Sequence, residues 1–192
     1  MYIPLKSANG ITLAPLETRL LMERKIFLQG EINEASACQF QQQMQYLALE
    51  GPDKPIHLYL DSIGGQVNAG LQIYDIIKGA PMELSIWCTG MAASMAAILL
   101  AGGQKGRRFI LPHSQVMIHE PLISGGVGGS ATSIQRTAES ILETKRIAVE
   151  LLAADTGKSL KEVEQAISFD NYMNAEEAVA FGLCDAVVSN IL

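Results

Sequence analysis

The sequence has few of the features that mark secreted, membrane or nucleic-acid-binding proteins. It contains only three cysteines, Cys38, Cys88 and Cys184, which lie far apart and lack metal-ligand spacing. An odd number of separated thiols is typical of reduced cysteines in the cytoplasm, which is the location we predict. Acidic residues outnumber basic ones by 20 to 14, and the net charge of −6 argues against nucleic acid or an anionic membrane as the main partner.

Long hydrophobic runs are also missing. The longest apolar stretch, residues 91–102, contains a serine and is too short to cross a bilayer. The first six residues lack the charged start and the apolar core of a signal peptide. No nucleotide-binding motif occurs. We therefore predict a protein that has no membrane partner and needs no cofactor or metal.

What is present fits one domain of α/β type over residues 1–192. The chain is 48% hydrophobic and 18% charged, which is enough apolar content to bury a real core. Residues 1–16 carry Pro4, Gly10 and Pro15 among polar residues, and this predicts an irregular N-terminal arm. Periodicity and capping residues predict helices at 16–23, 34–50, 131–155, 159–167 and 175–181, and strands at 25–28, 109–111, 116–118 and 184–188.

Two strand–turn–helix units follow each other near the middle of the chain. They cover residues 56–60, 61–65 and 67–77, and then 84–88, 89–93 and 94–101. Such a succession favours parallel strands with right-handed crossovers. Because functional loops of these sheets lie at the carboxyl ends of the strands, we expect the Gly64–Gly65 turn and Ser94 at the same edge.

The segment 122–156 combines a glycine-rich stretch, 124–130, with the longest predicted helix, which starts at Ala131. This helix would be about 36 Å long, and its apolar residues are too many for one narrow stripe. It either flanks the core of its own chain or packs against a second copy of itself, and its pattern leaves both open.

Ser94 is the candidate nucleophile because it stands between a strand and a helix of small residues. Free backbone N–H groups and the positive end of the helix dipole stabilise negative charge at that position. Taken alone, the same stretch favours a second interpretation, in which Ser94 is a helix N-cap or a small residue that allows close packing. Two glycines after a strand, Gly64 and Gly65, could direct a backbone N–H at a carbonyl oxygen, and the N–H of Met95 would then complete a two-donor oxyanion hole.

A nucleophilic serine needs a base and a carboxylate that orients it. Of the three histidines, His119 is best placed because it ends a strand at the same kind of position as Ser94, whereas His57 lies within a strand and His113 in a turn. Spacing does not select one of the candidate carboxylates, which are Asp61, Asp75, Asp155, Asp170 and Asp185.

Several motifs resemble the ClpP family, the serine peptidase subunits of the ATP-dependent Clp proteolytic machine. The resemblance runs from about Thr18 to Val188. It is carried by the segments 90–97 (GMAASMAA), 117–121 (MIHEP) and 170–178 (DNYMNAEEA) with 181–183 (FGL), and also by 19–21, 23–28 and 61–65.

Carried over by position, the resemblance implies roles for individual residues. Ser94 would be the nucleophile, His119 the general base and Asp170 the acid that orients it. Gly65 and Met95 would supply the oxyanion-binding N–H groups. The retained aromatics, Tyr59 and Phe109, would belong to the surface on which the unfoldase docks.

The resemblance also implies an architecture and partners. The fold would be a crotonase-like spiral of βαβ units with a projecting handle helix from Ala131, and the arm 1–16 would form axial pore loops. Two stacked rings of seven subunits would enclose the active sites, fed with unfolded protein substrates by an AAA+ unfoldase. The handle interleaves between rings in the family, which favours packing against a second copy.

Some positions depart from the family pattern. Phe169 and Ser168 stand where an arginine preceded by a carboxylate is common, and Glu120 stands where glutamine is common. Ile63 replaces a usual proline, and His57 replaces an aromatic of the docking surface. The family couples contact between rings to activity through the charged pair, so that coupling must differ here. The departures suggest a divergent paralogue that assembles alone or with a second ClpP-type subunit.

Two functions therefore stand as hypotheses. One is an active serine endopeptidase, and the other is a catalytically silent or regulatory ring subunit that modifies a partner ClpP. The intact set of Ser94, His119 and Asp170 favours the first. An acyl-CoA enzyme on the related crotonase fold would account for the oxyanion glycines but not for these three side chains together.

Overall fold

The computed structural model of the chain describes residues 1–7, 10–123 and 125–191. The strands are β1 (Tyr2–Ser7), β2 (Gly10–Pro15), β3 (Lys25–Ile32), β4 (Ile56–Gly65), β5 (Leu84–Ala93), β6 (Arg108–Ile110), β7 (Gln115–Ile118), β8 (Asn171–Met173) and β9 (Ala186–Val187). The helices are α1 (Leu16–Met22), α2 (Glu34–Glu50), α3 (Val67–Gly79), α4 (Met95–Ala101), α5 (Ala131–Thr156), α6 (Leu160–Ala166) and α7 (Ala175–Phe181).

A mainly parallel sheet forms the centre of the molecule. Its strands lie in the order β3–β4–β5–β6–β9, and each neighbouring pair is parallel. The predicted parallel arrangement of the two strand–helix units is therefore confirmed. The crossover helices α2 and α3 lie against the sheet through residues such as Phe40 and Ile73, which are at most 1% exposed.

Two short strands extend the sheet beside the carboxyl end of β5. The first part of β5 pairs with β6, and its last residues pair with β7, with Ala93 opposite Met117. Strand β8 then pairs antiparallel with β7, so that Ile118 lies opposite Asn171. This arrangement brings three chain segments together at one edge of the sheet.

Helix α4 is the most buried element. All seven of its residues are buried, and it contacts β4, β5, α3 and α5. A helix that is apolar on every side is stable only inside a core. Burial of one of its leucines, such as Leu99, contributes roughly 1.5–3 kcal/mol, so the start of α4 is held firmly in place.

Helix α5 has two unequal halves. Its buried residues, Ala148, Val149, Leu152 and Asp155, all lie in the second half. In the first half even large apolar side chains are open to solvent, and Ile134 is 43% exposed. Gly157 ends the helix in the left-handed conformation, as the sequence predicts.

The N-terminal arm is not irregular, which corrects the sequence prediction. Strands β1 and β2 form an antiparallel hairpin in which Tyr2 lies opposite Pro15 and Pro4 opposite Leu13. A two-stranded ribbon has outward-facing positions where a residue need not donate a hydrogen bond, so prolines are tolerated there. The presence of Pro4 and Pro15 therefore did not exclude strands.

Other corrections concern strand length. The predicted turns at 61–65 and 89–93 are the ends of β4 and β5. The pairing of β3 with β4 shifts register after Gln29, and the pairing of β4 with β5 shifts register after Leu60. Bulges of this kind re-aim a strand and are common next to active sites. Strand β3 likewise runs past Gly30, and the connector after residue 170 contains β8.

Within the described residues, no helix is long and apolar enough to span a membrane. The same part of the chain contains no group of three or more His, Cys, Asp or Glu side chains that could hold a metal ion. One predicted residue of the glycine-rich stretch, Ser124, lies outside the described residues.

Candidate active site

Ser94 lies between β5 and α4 in a conformation that few residues adopt. Its φ is 55° and its ψ is −122°, and holding a non-glycine residue in such a region costs on the order of 1–3 kcal/mol. The backbone N–H of Ser94 donates to the carbonyl of Met117 at 2.8 Å, which ties the turn to β7. Its side chain makes no capping hydrogen bond to α4. Ser94 therefore occupies the N-cap position of α4, as the alternative interpretation expected, but its side chain does not cap the helix.

The Ser94 side chain faces His119 instead. The distance from Ser94 Oγ to His119 Nε2 is 3.0 Å, and the distance from His119 Nδ1 to Asp170 Oδ1 is 2.9 Å. A carboxylate can only accept, so Nδ1 carries the hydrogen in this bond. Nε2 of the neutral ring is then free to accept the hydroxyl proton of Ser94. The three side chains form a continuous hydrogen-bonded chain.

The sheet explains why Asp170 meets His119. In the antiparallel pair of β7 and β8, Ile118 lies opposite Asn171, and His119 directly follows the one while Asp170 directly precedes the other. The N–H of Glu120 donates to the carbonyl of Ile167 at 2.8 Å and holds the two segments together beyond that point. The register of two short strands thus sets the contact between base and carboxylate.

The structure gives the other candidate residues different surroundings. Asp61 accepts from the N–H of Met91 at 2.9 Å and supports β5. Among the other aspartates, Asp155 binds Tyr74 and Lys78, Asp185 binds Arg108, and Asp75 lies on α3. Of the other two histidines, His57 lies beside Trp87 and His113 lies in the turn after β6. Of the five candidate aspartates, all of which lie in the described part of the chain, only Asp170 forms a hydrogen bond with His119.

The glycine pair lies directly against the Ser94 turn, as expected from strand order. A Cβ on Gly64 would lie 2.6 Å from the carbonyl oxygen of Ala93, 2.7 Å from Ser94 Cβ and 3.0 Å from the nitrogen of Met95. Gly64 also has a φ of +87°, which favours glycine. The close approach leaves no room for a side chain between the end of β4 and the start of α4.

Ser62 supports this turn, although the sequence did not single it out. Ser62 is 2% exposed, and its hydroxyl donates to the carbonyl of Gly30 at 2.5 Å and accepts from the N–H of Gly64 at 3.1 Å. It therefore fixes the glycine pair relative to β3. The signal in the sequence was a serine two residues before the glycines, at a strand position that alternation does not distinguish from a turn.

A mostly apolar cleft opens next to the Ser94 hydroxyl. It is lined by Val67, Leu71, Ser94, Met95, Ile98, His119, Pro121, Thr144, Ile147 and Ala148. A larger groove of about 610 Å³ continues from three of these residues, Val67, Pro121 and Thr144, along the exposed half of α5. We call it the α5 groove; its other lining residues are Leu122, Ile123, Ser130, Thr132, Ser133, Arg136, Thr137, Ser140 and Ile141. The cleft at Ser94 and the α5 groove are therefore adjacent and share part of their lining.

Tyr59 and Phe109 belong to an aromatic row on the sheet. Phe27, Tyr59, Trp87 and Phe109 occupy paired positions on four neighbouring strands. Their ring centroids are 4.9, 6.5 and 4.4 Å apart in that order. Tyr59 is only 7% exposed, whereas Phe27 is 41% exposed. Phe27 and Trp87 join Tyr59 and Phe109 in this row through strand register, which cannot be predicted from a short window of sequence.

The buried cysteines are unsuited to act as nucleophiles. Burial raises the pKa of the Cys88 thiol to about 12, with the nearby Asp61 carboxylate adding to the shift. Burial also raises the pKa of Cys184 to about 12. The thiolate is the reactive form of cysteine, and both thiols stay protonated near neutral pH. Neither of these two buried thiols therefore competes with Ser94 as a candidate nucleophile.

Comparison with known families agrees with this geometry. The sequence profile described as Clp protease matches residues 9–191 of the 192-residue chain. The match includes the segments that carry Ser94, His119 and Asp170, and the parallel sheet with its helices is consistent with the ClpP fold. The chain belongs to the Clp protease family of ClpP-type peptidases, whose members assemble into oligomers and act on protein substrates.

Proposed function

We propose that the chain is a serine endopeptidase and the proteolytic subunit of an ATP-dependent Clp protease, built as one peptidase domain over residues 1–192. The observation that carries the proposal is the continuous hydrogen-bonded chain from Ser94 through His119 to Asp170. The strained backbone of Ser94 adds support, because residues with strained backbone conformations are found preferentially at active sites.

Each side chain has a role in the proposed reaction. His119 Nε2 takes the hydroxyl proton as Ser94 Oγ attacks the carbonyl carbon of the substrate. The imidazolium then gives this proton to the leaving amine, and the acyl group remains on Ser94 as an ester. A water molecule, deprotonated by the same nitrogen, hydrolyses the ester. Asp170 holds the Nδ1–H tautomer and stabilises the positive charge on the ring.

The negative oxygen of the tetrahedral intermediate would be bound by the N–H groups of Gly65 and Met95. Met95 is the first residue of α4, so its N–H has no partner within the helix. The N–H of Gln66 donates to Ile32 on β3. Since successive amides of a strand point to opposite sides, the N–H of Gly65 is expected to point away from β3, toward the Ser94 turn. Two donors on one oxygen typically contribute several kcal/mol to acyl transfer.

The substrates we propose are unfolded polypeptides, cut to short peptides in a chamber of two stacked heptameric rings. The exposed half of α5, with the apolar side chains of Ile134 and Leu142, supports packing of this handle against another subunit. The rings would consist of this chain alone or include a second ClpP-type subunit. Confinement would limit access to chains threaded by a partner that consumes ATP.

That partner would be an AAA+ unfoldase of the Clp type in the cytoplasm, with Tyr59 and Phe109 in its docking surface. The support is the aromatic row, in which the partly exposed Phe27 stacks on Tyr59. The indole Nε1–H of Trp87 is buried and has no hydrogen-bond acceptor in the described part of the chain. Aromatic surfaces with a polar donor are typical of protein interfaces.

The second candidate, a silent or regulatory ring subunit, is favoured by one feature of the site. The Asp170 side chain is 62% exposed, and its neighbour Phe169 is 61% exposed. Glu120, next to the base, forms an ion pair with Lys145 of α5 at 2.5 Å. If no contact holds the exposed Asp170 on His119, His119 is not oriented, and the chain would stay silent and act only by modifying a partner ClpP.

Acylation by a fluorophosphonate probe separates the two candidates. We expect the assembled wild-type protein to gain one probe mass per chain at Ser94, and the Ser94→Ala variant to gain none while its assembly is unchanged. The matched control is Ser189→Ala, which removes an exposed hydroxyl outside the site and should label like the wild type. Wild-type protein that assembles with a Clp unfoldase and a ClpP partner but stays unlabelled would favour the silent subunit.

A further inference from the structure

The α5 groove contains one charged residue. Its lining consists of apolar side chains, hydroxyl groups of serine and threonine, and the guanidinium of Arg136. Among the described residues, no acidic side chain lines it, although the chain as a whole carries a net charge of −6. A lone cation in an otherwise uncharged groove attracts an anionic group of whatever the groove binds.

Arg136 also differs from the other arginine of the same helix. Arg146 is held by Glu143 at 2.6 Å and by Glu150 at 2.5 Å. No ion pair joins Arg136 to a carboxylate in residues 1–7, 10–123 and 125–191. The nearest acid on its own helix, Glu139, accepts from Gln135 at 2.8 Å and does not line the groove. The charge of Arg136 is therefore available to a ligand.

The groove is continuous with the Ser94 site. Thr144 lines both the cleft at Ser94 and the α5 groove, and Arg136 lies eight residues before it on one helix. Eight residues of α-helix span about 12 Å. An extended peptide covers that distance with roughly four residues. A substrate bound at Ser94 and running along α5 would thus bring its fourth residue close to Arg136.

We infer that Arg136 forms a cationic subsite that binds an anionic group of the substrate. It binds an aspartate or glutamate side chain, or a C-terminal carboxylate, three to five residues from the bond that is cut. The inference rests on the proposed peptidase function and adds a preference to it: acidic segments of an unfolded chain are held at Ser94 longer than basic ones. Planar guanidinium groups suit this role because they bind carboxylates through two hydrogen bonds.

The test uses internally quenched peptides that differ only at the fourth residue on either side of the cleaved bond, which is Glu, Gln or Lys. We expect wild-type kcat/KM to favour Glu over Gln by roughly threefold to fivefold on one side, the size typical of one partly exposed ion pair. The Arg136→Gln variant should lose this preference, and Arg136→Glu should favour Lys. Arg146→Gln, which alters the same helix outside the groove, should keep it. A salt concentration of 1 M should reduce the preference by screening.

A binding measurement keeps the inference separate from the proposed function. Fluorescence anisotropy with the Ser94→Ala protein ranks the same peptides without turnover, so it remains informative if no peptide is cleaved. Equal binding of the Glu and Gln peptides, or a Glu preference that survives Arg136→Gln, would overturn the inference. A change of assembly mass in Arg136→Gln with an unchanged preference would assign Arg136 to a contact between subunits, and would overturn it as well.

Discussion

The close approach between Gly64 and the Ser94 turn makes a sharp test of how the site is built. In the Gly64→Ala variant, the new methyl group would lie 2.6 Å from the carbonyl oxygen of Ala93 and 2.7 Å from Ser94 Cβ. Both distances are well inside van der Waals contact, and the atoms it meets belong to buried backbone or to Ser94 itself. The turn must therefore move.

The cost has two parts that a matched control separates. Alanine at a φ of +87° costs on the order of 1–2 kcal/mol, and forcing a methyl group into packed surroundings costs typically 1–3 kcal/mol. Gly106 has a φ of +81°, and a Cβ there meets nothing within 4 Å. Gly106→Ala thus carries the backbone cost alone, and we expect Gly64→Ala to lower the free energy of unfolding by about 1–3 kcal/mol more.

Activity should separate the two variants further. Displacement of the turn moves Ser94 and the N–H of Met95 relative to His119, and the loss of one oxyanion donor typically lowers the rate by roughly 100- to 1000-fold. We expect the rate constant for acylation of Ser94 by a fluorophosphonate to fall by about 100-fold in Gly64→Ala and to stay near the wild-type value in Gly106→Ala. Chemical denaturation gives the stabilities. Equal acylation by the two variants would refute the proposed geometry of the turn.

Three further predictions concern other parts of the structure. Asp170→Asn should lower acylation of Ser94 by about 10²- to 10⁴-fold, since the amide can stabilise the wrong His tautomer, with little change in the denaturation midpoint because Asp170 is exposed. Burial alone would raise the pKa of Asp185, but hydrogen bonds from the Arg108 side chain and backbone outweigh it and lower that pKa. The contribution of Asp185 to stability is therefore complete above its unfolded pKa, near 4, and is lost as pH falls through the lower folded pKa. Asp185→Asn should lower the free energy of unfolding by about 3–5 kcal/mol at neutral pH. The loss of stability between neutral and acidic pH should be smaller in this variant than in the wild type when chemical denaturation is measured against pH. Iodoacetamide should alkylate the exposed Cys38 in the native protein and should leave Cys88, whose pKa is about 12, unmodified until the chain unfolds. Intact mass counts the alkylated thiols, and modification of Cys88 before unfolding would contradict its burial.

Helix ends were predictable from the sequence because the contacts that set them are local. Asn33 accepts from the N–H of Ser36 at 3.0 Å, and Asn174 and Glu177 form a reciprocal capping box. Each contact joins residues three positions apart, so a short window of sequence contains it. The helices that follow these caps begin where the sequence predicts.

Strand ends were harder because distant segments set them. The continuation of β4 to Gly65 depends on register shifts against β3 and β5, which no window around residue 61 contains. The hairpin at the N-terminus likewise depends on pairing, with Leu5 opposite Thr12. Turn-forming residues predicted loops at both places, but hydrogen bonds to neighbouring strands hold both segments in extended conformations.

The residues of the candidate site also differ in whether their positions could be predicted from local sequence. Ser94 and His119 stand at the ends of strands, and that placement could be read from the order of elements. The choice of Asp170 among five aspartates could not be read from spacing, because it follows from the register of β7 against β8. The resemblance to ClpP supplied this choice, and the structure places the carboxylate 2.9 Å from His119. The catalytic roles of the three residues remain predictions until Ser94 is labelled.

The three side chains of the site are not equally protected from water. Ser94 precedes a fully buried helix and is tied by its N–H to Met117, and the His119 side chain is 15% exposed. Asp170 is 62% exposed and directly precedes the short β8. Water competes most effectively for exposed hydrogen bonds. The hydrogen bond between Asp170 and His119 is therefore expected to be weaker than the one between His119 and Ser94. Covering Asp170 by another subunit would strengthen that bond without altering the Ser94 turn, and loss of assembly is expected to disorient His119 before it disturbs the nucleophile.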